Sequence, residues 1–374
     1  MQPDMSRRSF IAGVAGAIAL LACGKKAHGH SPSGRGRLDR LDLLQYRDAD
    51  GAVRRAASPR DWLRRRAEIL RGMEAIMGPL PAGSNGPPRF EVSGEVDCGT
   101  YVRRALTYEA DPGVGTPAYL LVPKRVLAAG GRAPAVLCLH PTDDRIGPDV
   151  AVGLGGRPNR AYAAELAERG LVTFAPAYPL LARYQPDVRG LGYASGTMKA
   201  IHDNRRGIDL LESLPFVAAG GVGAIGHSLG GHNAVFTAAF DQRIRVVVSS
   251  CGLDLFSDYY GGDPGVWQPE KGWCQLRYMP RLLEYAGRLE QIPFDFAEVV
   301  GALAPRVCFL SAPTGDANFR WQSVDRIAEA ARRVYALHGS SDRLFVEHPD
   351  SDHDFPEPMR LEAYELLTQA LVAD

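Results

Sequence analysis

The sequence predicts an α/β protein with a mostly parallel central sheet, helices on both faces and a lid-like insert. Three observations predict it. From Ala133 onward, short apolar runs rich in β-branched residues alternate with stretches at helical spacing. Most of those short runs are apolar throughout, as strands are when helices cover both faces of a parallel sheet. One of them leads directly into Gly226-His227-Ser228-Leu229-Gly230 and then a helical run, a strand–turn–helix around a Gly-x-Ser-x-Gly motif.

The chain begins outside that alternation. Ser6-Arg7-Arg8-Ser9-Phe10 precedes an apolar run from Ile11 to Ala22, too short to span a bilayer but suited to a signal peptide. Paired arginines ahead of such a run resemble a twin-arginine export signal. Leu20-Leu21-Ala22-Cys23 resembles a bacterial lipobox, which would make Cys23 a lipidated first residue. Residues 1–22 are therefore expected to be a signal peptide and 23–37 a flexible tether. The protein is expected in the periplasm or on the cell surface, held to a bacterial membrane through Cys23. Export implies an oxidising compartment. Of the six cysteines, five follow Cys23, and Cys251 and Cys274 flank a loop-rich stretch across which they could bridge.

Residues 38–132 read as a helix over 58–77, capped by Ser58, then an antiparallel meander: Phe90 to Val96, Tyr101 to Tyr108 and Ala118 to Val122. Residues 133–374 carry the catalytic core. Its strands are expected at Ala135–Leu139, Val172–Ala175, Val222–Gly226, Ile244–Ser249, Arg306–Ser311 and Leu344–Glu347. Its helices are expected at 160–169, 197–214, 229–239, 321–336 and 357–372. A Tyr-, Trp-, Gly- and Pro-rich excursion over about 254–298 interrupts the alternation, and a loop of that length inside a compact domain usually serves function. Lys+Arg and Asp+Glu are equal at 43 each, so no global charge draws the chain to nucleic acid.

The chemistry follows from the turn. A nucleophile on a tight strand-to-helix elbow needs small neighbours, and Gly226 and Gly230 supply them. The helix N-terminus then faces a developing oxyanion. Ser228 is the expected nucleophile. A serine hydroxyl needs a base, and the base needs an orienting carboxylate. Asp316 is the only carboxylate in the loop after Arg306–Ser311, with Asp325 in the next helix as the alternative. After the last strand, His353 sits in mid-loop and is preferred to His348, which abuts Pro349. His202, His227 and His338 read as structural. Oxyanion donors are expected from the backbone N–H of Leu229 and, in the loop after Leu139, of Thr142, since Pro141 has none. His140, Trp267, Trp273 and Tyr278 are expected to line the substrate pocket. His140, Asp143 and Asp144 lack a second ligand cluster, so neither metal nor cofactor is expected.

The post-strand Leu139-His140-Pro141-Thr142, the elbow Gly226-His227-Ser228-Leu229-Gly230-Gly231, the loop around Asp316 and the terminal His353-Asp354-Phe355-Pro356 resemble the α/β-hydrolase superfamily. The branch they resemble is that of dienelactone hydrolases and acetyl-xylan-esterase-like proteins. The resemblance runs from about Ala133 to the end. Ser228 stands where dienelactone hydrolases carry cysteine, and Leu229 where glucuronoyl esterases carry arginine. The resemblance implies hydrolysis of a small-molecule or carbohydrate-linked carboxylic ester through an acyl-enzyme. Two other readings share the fold: a serine peptidase of the prolyl-oligopeptidase type, for which residues 38–132 leave no room for a β-propeller, and a non-catalytic surface lipoprotein.

Overall fold

A computed structural model of the chain describes residues 36–82 and 86–372. The expected signal peptide and Cys23 lie outside the described residues. β1 (Gln45–Arg47) and β2 (Val53–Arg55) form a small antiparallel ribbon that the sequence did not announce. α1 (Pro59–Met77) begins where expected: the Ser58 side chain accepts from the N–H of Asp61 and donates to its carboxylate at 2.8 Å. The meander follows as β3 (Phe90–Asp97), β4 (Tyr101–Asp111) and β5 (Val114–Pro123), then a short α2 (Lys124–Ala129).

The alternating part comprises β6 (Ala133–Leu139), α3 (Tyr162–Glu168), β7 (Val172–Pro176), α4 (Gly196–Ser213), β8 (Val217–His227), α5 (Leu229–Phe240) and β9 (Ile244–Ser250). It continues with α6 (Phe296–Gly301), β10 (Val307–Ser311), α7 (Trp321–Leu337), β11 (Leu344–Glu347) and α8 (Glu357–Val372). β8 starts earlier than its apolar run because Gly220 and Gly221, at φ 110° and 103°, break the pattern without ending the strand. α2 and α6 are too short to show a period.

One nine-stranded sheet takes the order β11-β10-β9-β8-β6-β7-β5-β4-β3. Pairing is parallel from β11 to β7 and antiparallel from β7 to β3. Strand residues alternate between two cores. Leu137, Leu139, Val247 and Leu310 join the core under α1, α4, α5 and α7, whereas Val136, Cys138, Val248 and Phe309 join that under α3 and α8. Both faces being buried is the reason the strands read as continuous apolar runs.

β6 leads through α3 to β7 on one side, and β8 leads through α5 to β9 on the other. That switch opens a crevice beyond the carboxyl ends of β6 and β8. The insert between β9 and α6 folds over it as a series of short 3₁₀ turns. It has its own aromatic centre: Phe256 meets Phe294 at 5.4 Å and Phe296 at 5.3 Å, ring edge to face. Its far end is tied to the N-terminal segment, where Arg40 pairs with Asp295 and Arg37 with Glu298.

Candidate active site

Ser228 sits between the last residue of β8 and the first of α5 at φ 55°, ψ −121°, a left-handed conformation that costs a non-glycine residue strain. Two bonds hold it there. Its N–H donates to the Ser250 carbonyl at 2.7 Å, and its own carbonyl accepts from His232 N–H at 3.0 Å. The glycines are obligatory. A Cβ on Gly226 would lie 2.2 Å from the carbonyl carbon of Gly230, and one on Gly230 would lie 1.9 Å from the Leu139 oxygen.

Asp316, after β10, and His353, after β11, meet. His353 Nδ1 lies 2.8 Å from Asp316 Oδ2, while Asp316 Oδ1 accepts from the N–H groups of Asn318 (2.8 Å) and Phe319 (3.1 Å). The carboxylate is fully buried with all its donors in place, so it fixes the imidazole tautomer and leaves Nε2 as the proton acceptor. The His353 ring lies nearly parallel to Phe319 at 5.8 Å and against His227 at 4.8 Å. The rival residues pair with each other elsewhere: His348 Nε2 contacts Asp325 Oδ1 at 3.0 Å, and Nδ1 contacts the Ala312 carbonyl at 2.8 Å. Neither lines the cavity that holds His353.

Ser228, Leu229, Thr142 and His353 line one cavity of about 610 Å³. The N–H groups of Leu229 and Thr142 donate to no protein acceptor among the described residues, and so are available to an oxyanion. The insert supplies much of the wall, including Trp273 and Tyr278, and the Tyr278 hydroxyl contacts Thr142 Oγ1 at 3.0 Å. Two expected pocket residues lie beneath it instead. His140 is buried, its Nε2 accepting from Tyr178 N–H at 3.0 Å and its Nδ1 2.7 Å from the Pro141 carbonyl; burial pushes its pKa down to about 4. Trp267 turns into the insert, edge-on to Phe256 and Tyr259. His140 turns inward because both ring nitrogens find backbone partners there, and Trp267 because its apolar ring gains from packing in the insert.

Cys251 and Cys274 are free thiols, not a bridge. Cys251 Sγ donates to the Asp354 carbonyl at 3.2 Å. Its Sγ and nitrogens of His227 and His353 lie within 4.8 Å of one another. That set does not fit a resident metal. Burial, and then Asp316, pushes the thiol well above its usual range, and His353 is committed to Asp316.

Arg160 and Arg157 were not singled out from the sequence, and His227, read there as structural, also reaches the cavity. Arg160 pairs with Asp354 and donates to the His353 carbonyl at 3.1 Å, clamping the loop that carries the imidazole. His227 packs its ring against His353 and also lines the cavity, with Nδ1 3.0 Å from Ser250 Oγ. Burial, together with the nearby cations, depresses its pKa, so the ring beside His353 is neutral. Arg157 also lines the cavity.

No known family profile matches the chain. Over 287 residues it is 26% identical to the Bacillus subtilis protein named "Putative hydrolase YtaP", spanning 68% of this chain and 83% of that one. A glucuronoyl esterase from Solibacter usitatus superposes with a TM-score of 0.68 at 18% identity over 88% of this chain and 97% of its own. A Bacteroides fragilis protein named "putative acetyl xylan esterase" superposes at 0.59 with 16% identity, over 87% and 93%.

Proposed function

We propose that this chain, which has the α/β-hydrolase fold, is a serine carboxylic-ester hydrolase acting on small-molecule or carbohydrate-linked esters. Ser228 Oγ attacks the ester carbonyl while His353 Nε2 takes its proton. Asp316 steadies the imidazolium, and the amides of Leu229 and Thr142 receive the oxyanion. His353 then protonates the leaving alcohol, and water releases the acyl group by the same steps in reverse. The observation that carries this reading is the 2.8 Å His353–Asp316 bond on an imidazole that shares its cavity with the strained Ser228. A cavity of about 610 Å³ suits one small organic ester or a sugar-sized group. A prolyl-oligopeptidase-type reading has less support: residues 37–82 and 86–132 form β1 to β5, α1 and α2, with no propeller among the described residues.

The test is hydrolysis of p-nitrophenyl acetate, butyrate and octanoate beside Ser228→Ala. The variant is expected to lose at least about 10⁴-fold in kcat. Folded wild-type protein inactive on all three esters would sink the esterase reading. We also propose export through the twin-arginine route and lipidation at Cys23, which the order of Arg7-Arg8, apolar run and Cys23 supports. Cys23→Ala should move the protein from the membrane to the soluble fraction of cells, and an unchanged distribution would overturn the anchor.

A further inference from the structure

The cavity wall carries two cations that no protein group neutralises. Arg157 and Lys271 both line it, and neither side chain has an ion-pair or hydrogen-bond partner among the described residues. They come from separate parts of the chain, Arg157 from the segment after β6 and Lys271 from the insert. The other lining charges are accounted for. Arg160 is paired with Asp354, and Asp143, the one lining carboxylate, is turned by the N–H groups of Arg145 and Ile146, each 2.8 Å from its Oδ1, but keeps its charge, so the cations still outnumber the anion.

Both cations ride on turns of unusual backbone. Gly153, Gly155 and Gly156 precede Arg157 at φ 77°, 136° and 88°. Lys271 lies between Glu270 at φ 56° and Gly272 at φ 46°, and a Cβ on Gly272 would fall 2.8 Å from the Val266 carbonyl oxygen. Left-handed backbone at a non-glycine residue costs free energy and persists only where surrounding structure fixes it. After burial, Arg160 and His353, the Arg157 charge also helps hold down the pKa of His227, the residue before Ser228.

We infer that the cavity selects esters bearing a second, free carboxylate, which Arg157 and Lys271 receive while Ser228 attacks the ester; this rests on the esterase reading. Both residues are exposed at the cavity wall, where a guanidinium and an ammonium group attract a carboxylate through salt-screened charge and orient it by charge-assisted hydrogen bonds. A neutral ester of the same shape leaves both cations without a counterion.

The experiment compares matched pairs: mono-4-nitrophenyl adipate with 4-nitrophenyl hexanoate for a carboxylate on the acyl half, and 4-acetoxybenzoate with its methyl ester for one on the alcohol half. At low salt at least one anionic ester is expected to show about tenfold higher kcat/KM than its neutral match, an advantage that shrinks toward unity at high salt. Arg157→Gln and Lys271→Gln should each cut that ratio about fivefold, chiefly through KM. Ser228-dependent hydrolysis with equal ratios in wild type, or ratios that both substitutions leave intact, overturns the inference and leaves the esterase reading standing. If no ester is hydrolysed, the esterase reading fails by itself, and calorimetric titration with adipate and 4-hydroxybenzoate decides anion binding. Binding abolished in the double variant supports the two-cation site; no binding to wild type overturns it.

Discussion

Gly230 has no room for a methyl group, because the atom it would strike is a backbone oxygen of β6 only 1.9 Å away. Gly230→Ala is therefore expected to cost about 2–4 kcal/mol and to displace the elbow, seen as an earlier urea midpoint together with lost turnover. Asp316→Asn asks a different question at the same scale. The amide keeps the shape but not the charge that fixes the His353 tautomer, so kcat should fall about 10⁴-fold with little change in unfolding. A variant retaining a tenth of wild-type turnover would remove Asp316 from the reaction. Ser228, Asp316 and His353 were legible because each stands in a short loop at the end of a recognisable strand. Arg160 was not: its partner Asp354 is 194 residues away, and nothing local marks the pair. His140 and Trp267 were misplaced for a related reason. Sequence puts a residue in a loop without saying which way its ring turns.

Among the elements, α5 is buried all round, which lets it approach β8 and β9 closely enough to aim its N-terminus at the crevice. The insert is the opposite case, with no regular period and hence no legible structure beyond its length and aromatic content. What holds it is ring packing. Trp273 stacks on His232 at 4.6 Å and meets Tyr259 and Tyr278 at 5.4 Å, while also facing the cavity. Trp273→Ala should destabilise the protein by about 3 kcal/mol and enlarge the cavity. In the ester series the ratio of octanoate to acetate turnover should then rise. A fall in stability with an unchanged ratio would make Trp273 a packing residue alone.

For the whole molecule, the two-sided burial of β6 to β10 was readable from their uninterrupted apolar runs, as was the order of strand and helix. The short N-terminal ribbon was not, nor were the ion pairs of Arg37 and Arg40 with Glu298 and Asp295, which join distant segments through charge. Stability as a function of pH tests one buried acid at the start of the insert. Asp254 is 1% exposed; burial pushes its pKa up to about 7, partly offset by Ser323 and the N–H of Arg320. A carboxyl raised above its unfolded value contributes stability below about pH 4 that is lost as pH climbs through 7. Asp254→Asn cannot ionise, so its stability should fall less between pH 5 and 8.5 than that of wild type, by roughly 2 kcal/mol in urea unfolding. Parallel pH curves would mean that Asp254 does not titrate in this range.

The insert rests on its own aromatic centre, whereas the proposed reacting groups, Ser228, Asp316 and His353, hang from the ends of the sheet strands. Exposed positions on its cavity side, such as Tyr260 and Lys271, are therefore free to drift under selection without disturbing the fold or the chemistry. A library randomised at those two positions should stay largely folded while its members diverge in which esters they accept, so that new specificities lie a few nucleotide changes from the present one.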